Sequence, residues 1–373
     1  MDFELNENEK MLQNMVREFA QKEIGPLVEK LDKEPYFPID IIKRFGELGF
    51  IGIFVPEQYG GNDMGHLARI ITIEEIAKVY APLAFFFQAD QLPLYAILSK
   101  GTEEQKTKYL PKLCSGEFIG AMAVTEPSGG SDPNAAQTRA EWDGNKWIIN
   151  GRKAFITLAE VADVCVFTAK TDKGFTTFIV DRGTDGFNIG HRETHAGLKA
   201  IPVSEVTFSN CFIPKENLLG VEGKGLGATI ATVGAIGRTA AAAMALGLSE
   251  NVYEIAYKYA KERILYGKPI FELEPIKYEL AQMRFIIESG RLLTYKMAWL
   301  QDKGKSPREL AEDIAMAKYV TSEGAIKVCS DAIHLLGAYG TTEEYHIINR
   351  LHDAYDLIPA GGTSDIMLLT MVN

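Results

Sequence analysis

The chain has 373 residues, enough for two or three domains of ordinary size, and 46% of its side chains are apolar. Its 39 basic and 50 acidic side chains give a net charge of −11, and the lack of a basic block argues against binding to nucleic acid or to an anionic membrane surface. The longest apolar stretches, at 81–87 and 239–248, are too short to cross a bilayer. We therefore expect a globular protein that does not insert into membranes.

The N-terminal segment, the histidines and the cysteines indicate where the protein is located and whether it binds a metal. The N-terminal segment MDFELNENEK is acidic and amphipathic and lacks the features of a signal or transit peptide. The six histidines form no metal-binding motif. The four cysteines form no C-x-x-C pair; they are Cys114, Cys165, Cys211 and Cys329. We expect reduced, buried thiols, no metal and a cytoplasmic location.

The hydrophobic pattern divides the chain into three parts. Apolar residues recur at helical spacing over most of 1–117, which predicts an N-terminal all-α domain. Short alternating runs at 146–149, 163–168 and 204–208 predict a small β domain over 118–226, with Asn150-Gly151 as a hairpin turn. The helical period returns over 227–373, through 240–266, 276–303 and 310–336, and predicts a C-terminal helical domain.

A glycine-rich loop, GVEGKGLG at 220–227, precedes the second helical part. Such a loop can mark a dinucleotide-binding turn, but that motif requires a strand-helix-strand unit with an acidic residue at the end of the next strand. The sequence shows no such unit here. We favour a flexible entry into a long helix.

Arg263 continues an apolar stripe. The helical spacing of Val252, Ala256 and Tyr259 places it on the same face as these residues. A guanidinium buried there would need an anion, which could be a structural carboxylate or a phosphate. Gly267 and Pro269 would then end the helix.

Two further loops contain glycines and hydroxyl side chains. The segment AVTEPSGGSD at 123–132 could be a simple turn, or could let a flat or phosphorylated ligand approach the backbone closely. The segment PAGGTSDI at 359–366 predicts a tight turn in which Thr363 and Ser364 cap a last helix. Neither loop is specific when it is considered alone.

Together, these motifs resemble the flavin-dependent acyl-CoA dehydrogenase family over essentially the whole chain. The resemblance rests on TEPSGGSD at 125–132, NGRKAFIT at 150–157, Arg263-x-x-Tyr266-Gly267, Gly337-x-x-Gly340 and Gly362-Thr363-Ser364. It implies an α+β fold with an N-terminal helical domain, a middle β domain and a C-terminal four-helix bundle. It also implies FAD as cofactor, an acyl-CoA thioester as substrate, a homotetramer with FAD sites shared between subunits, and an electron-transferring flavoprotein or similar carrier as partner.

The resemblance implies specific roles for individual residues of this sequence. Phe155 stands where many members have a tryptophan against the flavin, Thr157 would place its hydroxyl by flavin N5, and Arg263 would reach the FAD pyrophosphate of a neighbouring subunit. Asp365 replaces a more usual glutamine or glutamate. The implied FAD-binding residues are Thr125, Gly130, Ser131, Phe155, Thr157, Arg263, Tyr266, Gly337, Gly340, Thr363 and Asp365. The expected substrate-binding residues are Gln88, Gln91, Ser131, Gly237 and Arg238.

The chain departs from the family at the catalytic base. Most members carry a glutamate immediately before the Gly-Thr of the C-terminal turn, where this sequence has Gly361, and a minority carry it where this sequence has Gly237. A thioester α-proton is too weakly acidic to leave unaided, so ordinary α,β-desaturation should be impaired. The amide N–H of Gly361 could still polarise the thioester carbonyl. A second departure lies at Arg350-Leu-His352-Asp353, where the family has an Arg-Asp pair.

Asp90 is the candidate replacement base. It is the only carboxylate in the apolar run 81–98, on a helix that walls the acyl pocket in this family, although an exposed or capping aspartate is the alternative. With this base, the expected substrate is a cyclic enoyl-CoA such as cyclohex-1-ene-1-carboxyl-CoA, converted to a cyclic diene by 1,4-elimination in anaerobic aromatic degradation. The other hypotheses are a conventional dehydrogenase or enoyl-CoA reductase with a relocated acid/base, and a non-catalytic flavin- and CoA-binding scaffold.

Overall fold

The N-terminal part of the chain is helical, as predicted. The computed structural model describes residues 4–372. Asn6 and Thr102 begin their helices with capping boxes, in which each side chain accepts a hydrogen bond from the third helical amide. The helices of this part are α1 (Glu7–Phe19), α2 (Val28–Lys33), α3 (Ile39–Glu47), α4 (Gly65–Lys100) and α5 (Glu103–Cys114).

Helix α4 is bent into a hairpin. Tyr80 has non-helical dihedral angles, φ −155° and ψ 97°, and Pro82 follows it, lacking an N–H and clashing with the preceding turn. Arg69 in the first half and Gln91 in the second lie within 3.5 Å of each other. These residues would be about 33 Å apart in a straight helix, so the two halves run side by side.

The middle part is an eight-stranded sheet with the order β6-β7-β3-β2-β4-β5-β8, in which β1 pairs with β4. The predicted hairpin turn at Asn150-Gly151 is wrong. These residues lie inside β3, where the register against β7 shifts between Ile149 and Gly151. The turn is Asp143-Gly144, between β2 and β3. The strands are β1 (Gly120–Ala123), β2 (Arg139–Trp142), β3 (Lys146–Thr157), β4 (Val164–Thr171), β5 (Gly174–Asp181), β6 (Phe187–Arg192), β7 (Val203–Pro214) and β8 (Leu218–Leu219).

The C-terminal part begins with one continuous helix interrupted by a wider turn. Helix α6 (Gly225–Thr232) passes into a π-helical turn, Val233–Arg238, and then into α7 (Thr239–Glu262). A short hairpin of β9 (Ile264–Leu265) and β10 (Lys268–Pro269) follows. The remaining helices are α8 (Glu274–Asp302), α9 (Ala311–Leu336), α10 (Ile347–Asp356) and α11 (Ser364–Val372), which pack with α7 as the C-terminal bundle.

Two apolar cores hold the fold together. One joins the helices of the N-terminal and C-terminal parts, with α4 packed along α7, and the other fills the sheet. The cysteines are free and buried. Within residues 4–372, the continuous segment Gly225–Glu262 is the one helix long and apolar enough to span a membrane, and 78% of its most apolar window is buried inside the protein, as expected for a core helix.

Candidate active site

A buried ion pair joins two of the motifs. Lys153 Nζ donates to Glu126 Oε1 at 2.8 Å and to the carbonyl of Val124 at 3.2 Å. Burial opposes the charged carboxylate, but the charge of Lys153 outweighs it and lowers the pKa of Glu126. Burial lowers the pKa of Lys153 in turn. The pair fixes the loop at 125–132 to strand β3.

The loop itself is a tight turn whose backbone is accessible. The amide of Gly129 donates to the carbonyl of Glu126 at 2.9 Å, and Gly129 has a φ of 142°, which favours glycine. A β-carbon at Gly129 would meet no atom within 4 Å, and one at Gly130 would lie 3.4 Å from the methyl group of Thr125. Gly130 and Ser131 are exposed. A flat or phosphorylated group can therefore approach this backbone closely.

Strand β3 presents Phe155 to solvent at an irregular point. The register against β7 shifts between Lys153 and Ile156, and Phe155 has a φ of 57° with 58% of its surface exposed. Thr157 is half-buried two residues later. An exposed aromatic ring beside a hydroxyl suits a planar ligand such as an isoalloxazine, so these residues fit the FAD position that the resemblance implies.

A loop of the sheet docks on helix α10 beside Phe155. His195 lies 6.5 Å from the ring of Phe155 and 3.6 Å from Asp356, which raises the pKa of His195. The amide of Leu198 donates to Asp353 at 2.6 Å. No motif in the sequence indicates a role for His195. These contacts place Phe155 next to α10, the helix that precedes the C-terminal turn.

A buried lysine and a partly buried arginine hold the C-terminal turn. Arg238 Nε donates to the carbonyl of Gly361 at 3.0 Å, and Lys318 Nζ donates to the carbonyls of Ile358 and Gly362 at 2.6 and 3.0 Å. Burial lowers the pKa of Lys318 to about 8 and also lowers that of Arg238. Lys318 was missed in the sequence because nothing in its local pattern distinguishes it from an exposed helical lysine.

The amide of Gly361 is available as a donor. Gly361 has a φ of 72°, and its N–H has no acceptor within the described part of the chain, whereas the next amide donates to Pro359 at 3.1 Å. Thr363 caps α11 weakly, accepting from the amide of Ile366 at 3.4 Å, and Asp365 is exposed.

The π-helical turn faces the second half of α4. A β-carbon at Gly237 would lie 3.6 Å from Leu92 and 3.7 Å from Gln88, so these side chains form one wall next to Gly237 and Arg238. Gln91 does not share this position. Its Nε2 donates to the carbonyl of Ile51 at 2.8 Å, and its Oε1 faces Arg69, so its expected role in direct substrate binding is not supported.

Asp90 faces away from this wall. It is fully buried, and its Oδ1 accepts from the amide of Gly120 in β1 at 2.6 Å. Residues two apart on a helix point about 200° apart, so Gln88 and Asp90 lie on opposite sides of α4. Burial raises the pKa of Asp90 to about 8, as predicted for a base. Its Oδ1 contact with β1 does not support the expectation that Asp90 lines the acyl pocket, although its Oδ2 is buried and has no partner among the described residues.

Arg263 lies outside helix α7, contrary to the prediction. The helix ends at Glu262, and Arg263 and Tyr266 are both exposed, Tyr266 to 90%. The guanidinium lies 6.0 Å from the ring centre of Tyr339, which belongs to the short helix Gly337–Thr341. Arg263 therefore needs no buried carboxylate and can contact an anion from outside the chain.

The segment around Arg350 is a structural network. Arg350 contacts Asp353 at 3.3 Å and Asp32 in α2 at 3.4 Å, and its guanidinium lies 5.2 Å from the ring centre of Tyr80 at the α4 bend. Arg350 and Asp353 are almost fully buried. This departure from the family pattern thus links α10 to the N-terminal helices.

The residues expected to contact FAD form two groups. One comprises the loop at 125–131, Phe155, Thr157 and the C-terminal turn. The other comprises Arg263, Tyr266 and the short helix at Gly337–Thr341, which lies at the far end of α9, 14 residues or about 20 Å beyond the contact of Glu323 with Ser364. Among residues 4–372, no group of three or more His, Cys, Asp or Glu side chains is placed to hold a metal ion.

Comparisons with known proteins cover the whole chain. Models of the N-terminal, middle and C-terminal domains of acyl-CoA dehydrogenases match residues 6–117, 121–211 and 223–373. The short-chain-specific acyl-CoA dehydrogenase of Clostridium acetobutylicum is 37% identical, over 100% of this chain and 98% of its own. An NADH-dependent acryloyl-CoA reductase of Anaerotignum propionicum is 36% identical, over 98% and 94%. The glutaryl-CoA dehydrogenase of Mycobacterium smegmatis, solved with FADH2, has a TM-score of 0.94 at 29% identity, covering 99% and 94%.

Proposed function

Because the chain belongs to the acyl-CoA dehydrogenase family, we propose that it moves hydrogen between an acyl-CoA thioester and FAD without a glutamate at either position that the family uses for its base. The chain is an FAD-dependent enzyme of that family. The observation that carries the proposal is the presence of glycine at both 237 and 361, in a chain that retains the other motifs of the family.

The residues around the cofactor position fit FAD. Phe155 offers an exposed ring, Thr157 a hydroxyl, and Gly129 and Gly130 an unobstructed backbone. Bound FAD supplies the acceptance or donation of a hydride. The chain itself orients the thioester, because the free N–H of Gly361 can donate to its carbonyl and stabilise negative charge there. Arg238 and Lys318 hold the turn that carries this amide.

Our first substrate candidate is a cyclic enoyl-CoA. In such a thioester the γ-proton is acidified through the double bond, so its loss demands less of a base than loss of an α-proton from a saturated chain. Loss of this proton and of a hydride from the ring would give a cyclic diene. Because Oδ1 of Asp90 accepts from the amide of Gly120 in β1, we do not propose Asp90 as the base that meets this substrate.

The second candidate is reduction of an enoyl-CoA. Hydride delivery to the β-carbon leaves an enolate that water can protonate, so this direction requires no carboxylate beside the α-carbon. The similarity to an acryloyl-CoA reductase favours it.

One experiment separates these functions. The purified holoenzyme is titrated anaerobically with saturated, enoyl and cyclic enoyl thioesters while the visible absorbance of the flavin is followed. Reduction by cyclic enoyl-CoA alone supports the first candidate, and oxidation of prereduced enzyme by linear enoyl-CoA supports the second. Rapid reduction by saturated acyl-CoA would overturn the proposal, and a flavin inert toward every thioester would indicate a binding scaffold.

We also propose a homotetramer. Helix α8 exposes an apolar residue every seventh position, which places these side chains along one face; they are Tyr278, Phe285, Leu292 and Trp299. The residues expected to contact FAD lie in two separate groups, and this separation is explained if Arg263 binds the cofactor of a neighbouring subunit. An electron-transferring flavoprotein or similar carrier in the cytoplasm would exchange electrons with the bound FAD.

A further inference from the structure

Arg69 is a buried arginine without an acid partner. It is fully buried, and no carboxylate lies within ion-pair distance of its guanidinium in residues 4–372. Its Nη2 donates to the carbonyls of Ala235 and Ile236 at 3.4 and 3.2 Å and contacts the hydroxyl of Thr239. Its Nη1 is 3.5 Å from Gln91, and its Nε has no partner. The guanidinium is therefore only partly satisfied.

Arg350, the other arginine that is almost fully buried in residues 4–372, has acid partners, and so does the partly buried Arg291. Arg291 contacts Glu74 at 2.9 Å and Glu250 at 2.7 Å, and Arg350 has the carboxylates described above. Burial lowers the pKa of Arg69 to about 9, which still leaves it cationic at neutral pH. The charge of Asp302 favours the cationic form, but this carboxylate accepts from the amides of His66 and Leu67 and forms no ion pair with Arg69. A buried cation without a direct counter-charge is strongly unfavourable, and an anion bound at Arg69 would complete the site.

Neighbouring polar atoms also lack partners. His66 Nδ1 and Gln301 Oε1 are buried and unpaired, as is Arg69 Nε. Gln301 Nε2 donates to the carbonyl of Ala235 at 3.1 Å, the same carbonyl that Arg69 contacts. Burial lowers the pKa of His66 to about 3, so its ring is neutral. Buried polar atoms are nearly always hydrogen-bonded, and this cluster therefore has unused capacity for a polar ligand group.

The cluster lies at the end of the wall next to Gly237. Gln88 and Leu92 line that wall, and Gln91, which Arg69 contacts, lies three residues beyond Gln88 on α4. Three residues are almost one helical turn, about 5 Å. An acyl group whose thioester lies at Gly361 and whose chain passes Gly237 would therefore direct its far end toward Arg69.

We propose that Arg69 binds a carboxylate at the end of the acyl group distal to the thioester, which makes CoA monothioesters of dicarboxylic acids, linear or cyclic, the preferred substrate class. This inference rests on the proposed binding of acyl-CoA and specifies its substrate. Arg69 Nε–H and Nη1–H supply the donors, because Nη2 is occupied by the π-helical turn.

Matched pairs of thioesters test the proposal. Binding of glutaryl-CoA against valeryl-CoA, and of adipoyl-CoA against hexanoyl-CoA, is measured calorimetrically on the holoenzyme. We expect the dicarboxylic member of at least one pair to bind about 10- to 100-fold more tightly. Arg69→Met should remove this difference, and Arg69→Lys should retain part of it.

The control is Arg291→Met, which removes a partly buried arginine but leaves Arg69 in place. It should lower stability without changing the ratio within each pair. Equal binding of both members by the wild type would overturn this inference alone, whereas failure to bind any thioester would overturn the proposed function. If Arg69→Met does not fold, the affinity ratios measured with the wild type still test the proposal. If Arg69→Met weakened the binding of both members of a pair to the same extent, Arg69 would have a structural role only.

Discussion

Lys153 and Glu126 form an ion pair that is almost completely buried in the middle domain, 2.8 Å apart, and each belongs to a different motif of the expected flavin site. Glu126 also accepts from the backbone amides of Gln137 and Thr138. The pair therefore fixes the loop at 125–132, which is expected to contact the cofactor, to the strand that carries Phe155.

Removing either partner should release this loop. We expect Glu126→Gln and Lys153→Met each to lower the free energy of unfolding by about 3 to 5 kcal/mol, because each leaves the other group buried without a counter-charge. Both should retain less FAD after gel filtration, measured from the flavin absorbance per chain. In the double variant the effects should not add. Strictly additive losses would show that the two residues act independently.

A glutamate at position 361 should restore a base. We expect Gly361→Glu to raise the rate at which saturated acyl-CoA reduces the flavin by at least about 100-fold. The cost is strain, since a φ of 72° disfavours a side chain by about 1 to 2 kcal/mol and the new β-carbon would lie 3.3 Å from Arg238.

Gly361→Gln is the matched control, because it introduces the same strain without a base. It should lose the same stability and gain no activity. If Gly361→Glu binds thioester normally but reacts no faster than Gly361→Gln, the position has been assigned wrongly.

Asp90 provides a test of pH dependence. Its pKa is about 8 in the folded protein against an ordinary 3.8, so between about pH 4 and pH 8 the folded state keeps a proton that the unfolded state has lost. Stability should fall with rising pH across this window, by up to about 1.4 kcal/mol per pH unit from this group. Asp90→Asn cannot ionise and still offers an oxygen to Gly120, so its unfolding free energy should depend less on pH.

The same variant tests the catalytic role. Because Asp90 faces Gly120 rather than Gly237, Asp90→Asn should keep kcat within about threefold of the wild type. A loss of most of kcat with a cyclic enoyl-CoA, with FAD and thioester still bound, would show that the carboxylate reaches the substrate after all.

The apolar stripe on α8 should hold subunits together. We expect the double variant Phe285→Glu and Leu292→Glu to reduce the oligomer mass measured by light scattering, since it buries charge at an apolar contact. Met11→Glu, which alters an equally exposed apolar residue on α1, should leave the mass unchanged. An unaltered mass in the double variant would place the interface elsewhere.

The order of the domains and the two glycine-containing loops could be predicted from the sequence because each depends on a local pattern of residues. Helical and strand periods depend on neighbouring residues, and the loops at 125–132 and 359–366 carry their own glycines and hydroxyls. The Asn150-Gly151 prediction failed because both residues also tolerate a bulge, and pairing of β3 with β7 continued the strand.

The direction in which a side chain points from its helix was harder to predict. The run 81–98 is apolar on all sides, so no polar face indicated that Asp90 points toward β1 and Gln88 toward the π-helical turn. Arg263 continued an apolar period, but the helix ended one residue earlier. The environment of Arg69 depends on the α4 hairpin and on carbonyls more than 160 residues away, which no local pattern contains.

The π-helical turn at Val233–Arg238 behaves as an insertion of one residue into an otherwise regular helix. Such insertions leave the flanking helical segments in register with their surroundings, so a single-residue deletion could convert the turn to α-helix without displacing α6 or α7. The carbonyls of Ala235 and Ile236 would then return to the regular helical ladder and no longer be directed at Arg69 and Gln301. A single codon thus separates two forms of the end of the wall next to Gly237. A chain that loses this residue should accept different acyl groups while the rest of its fold stays the same.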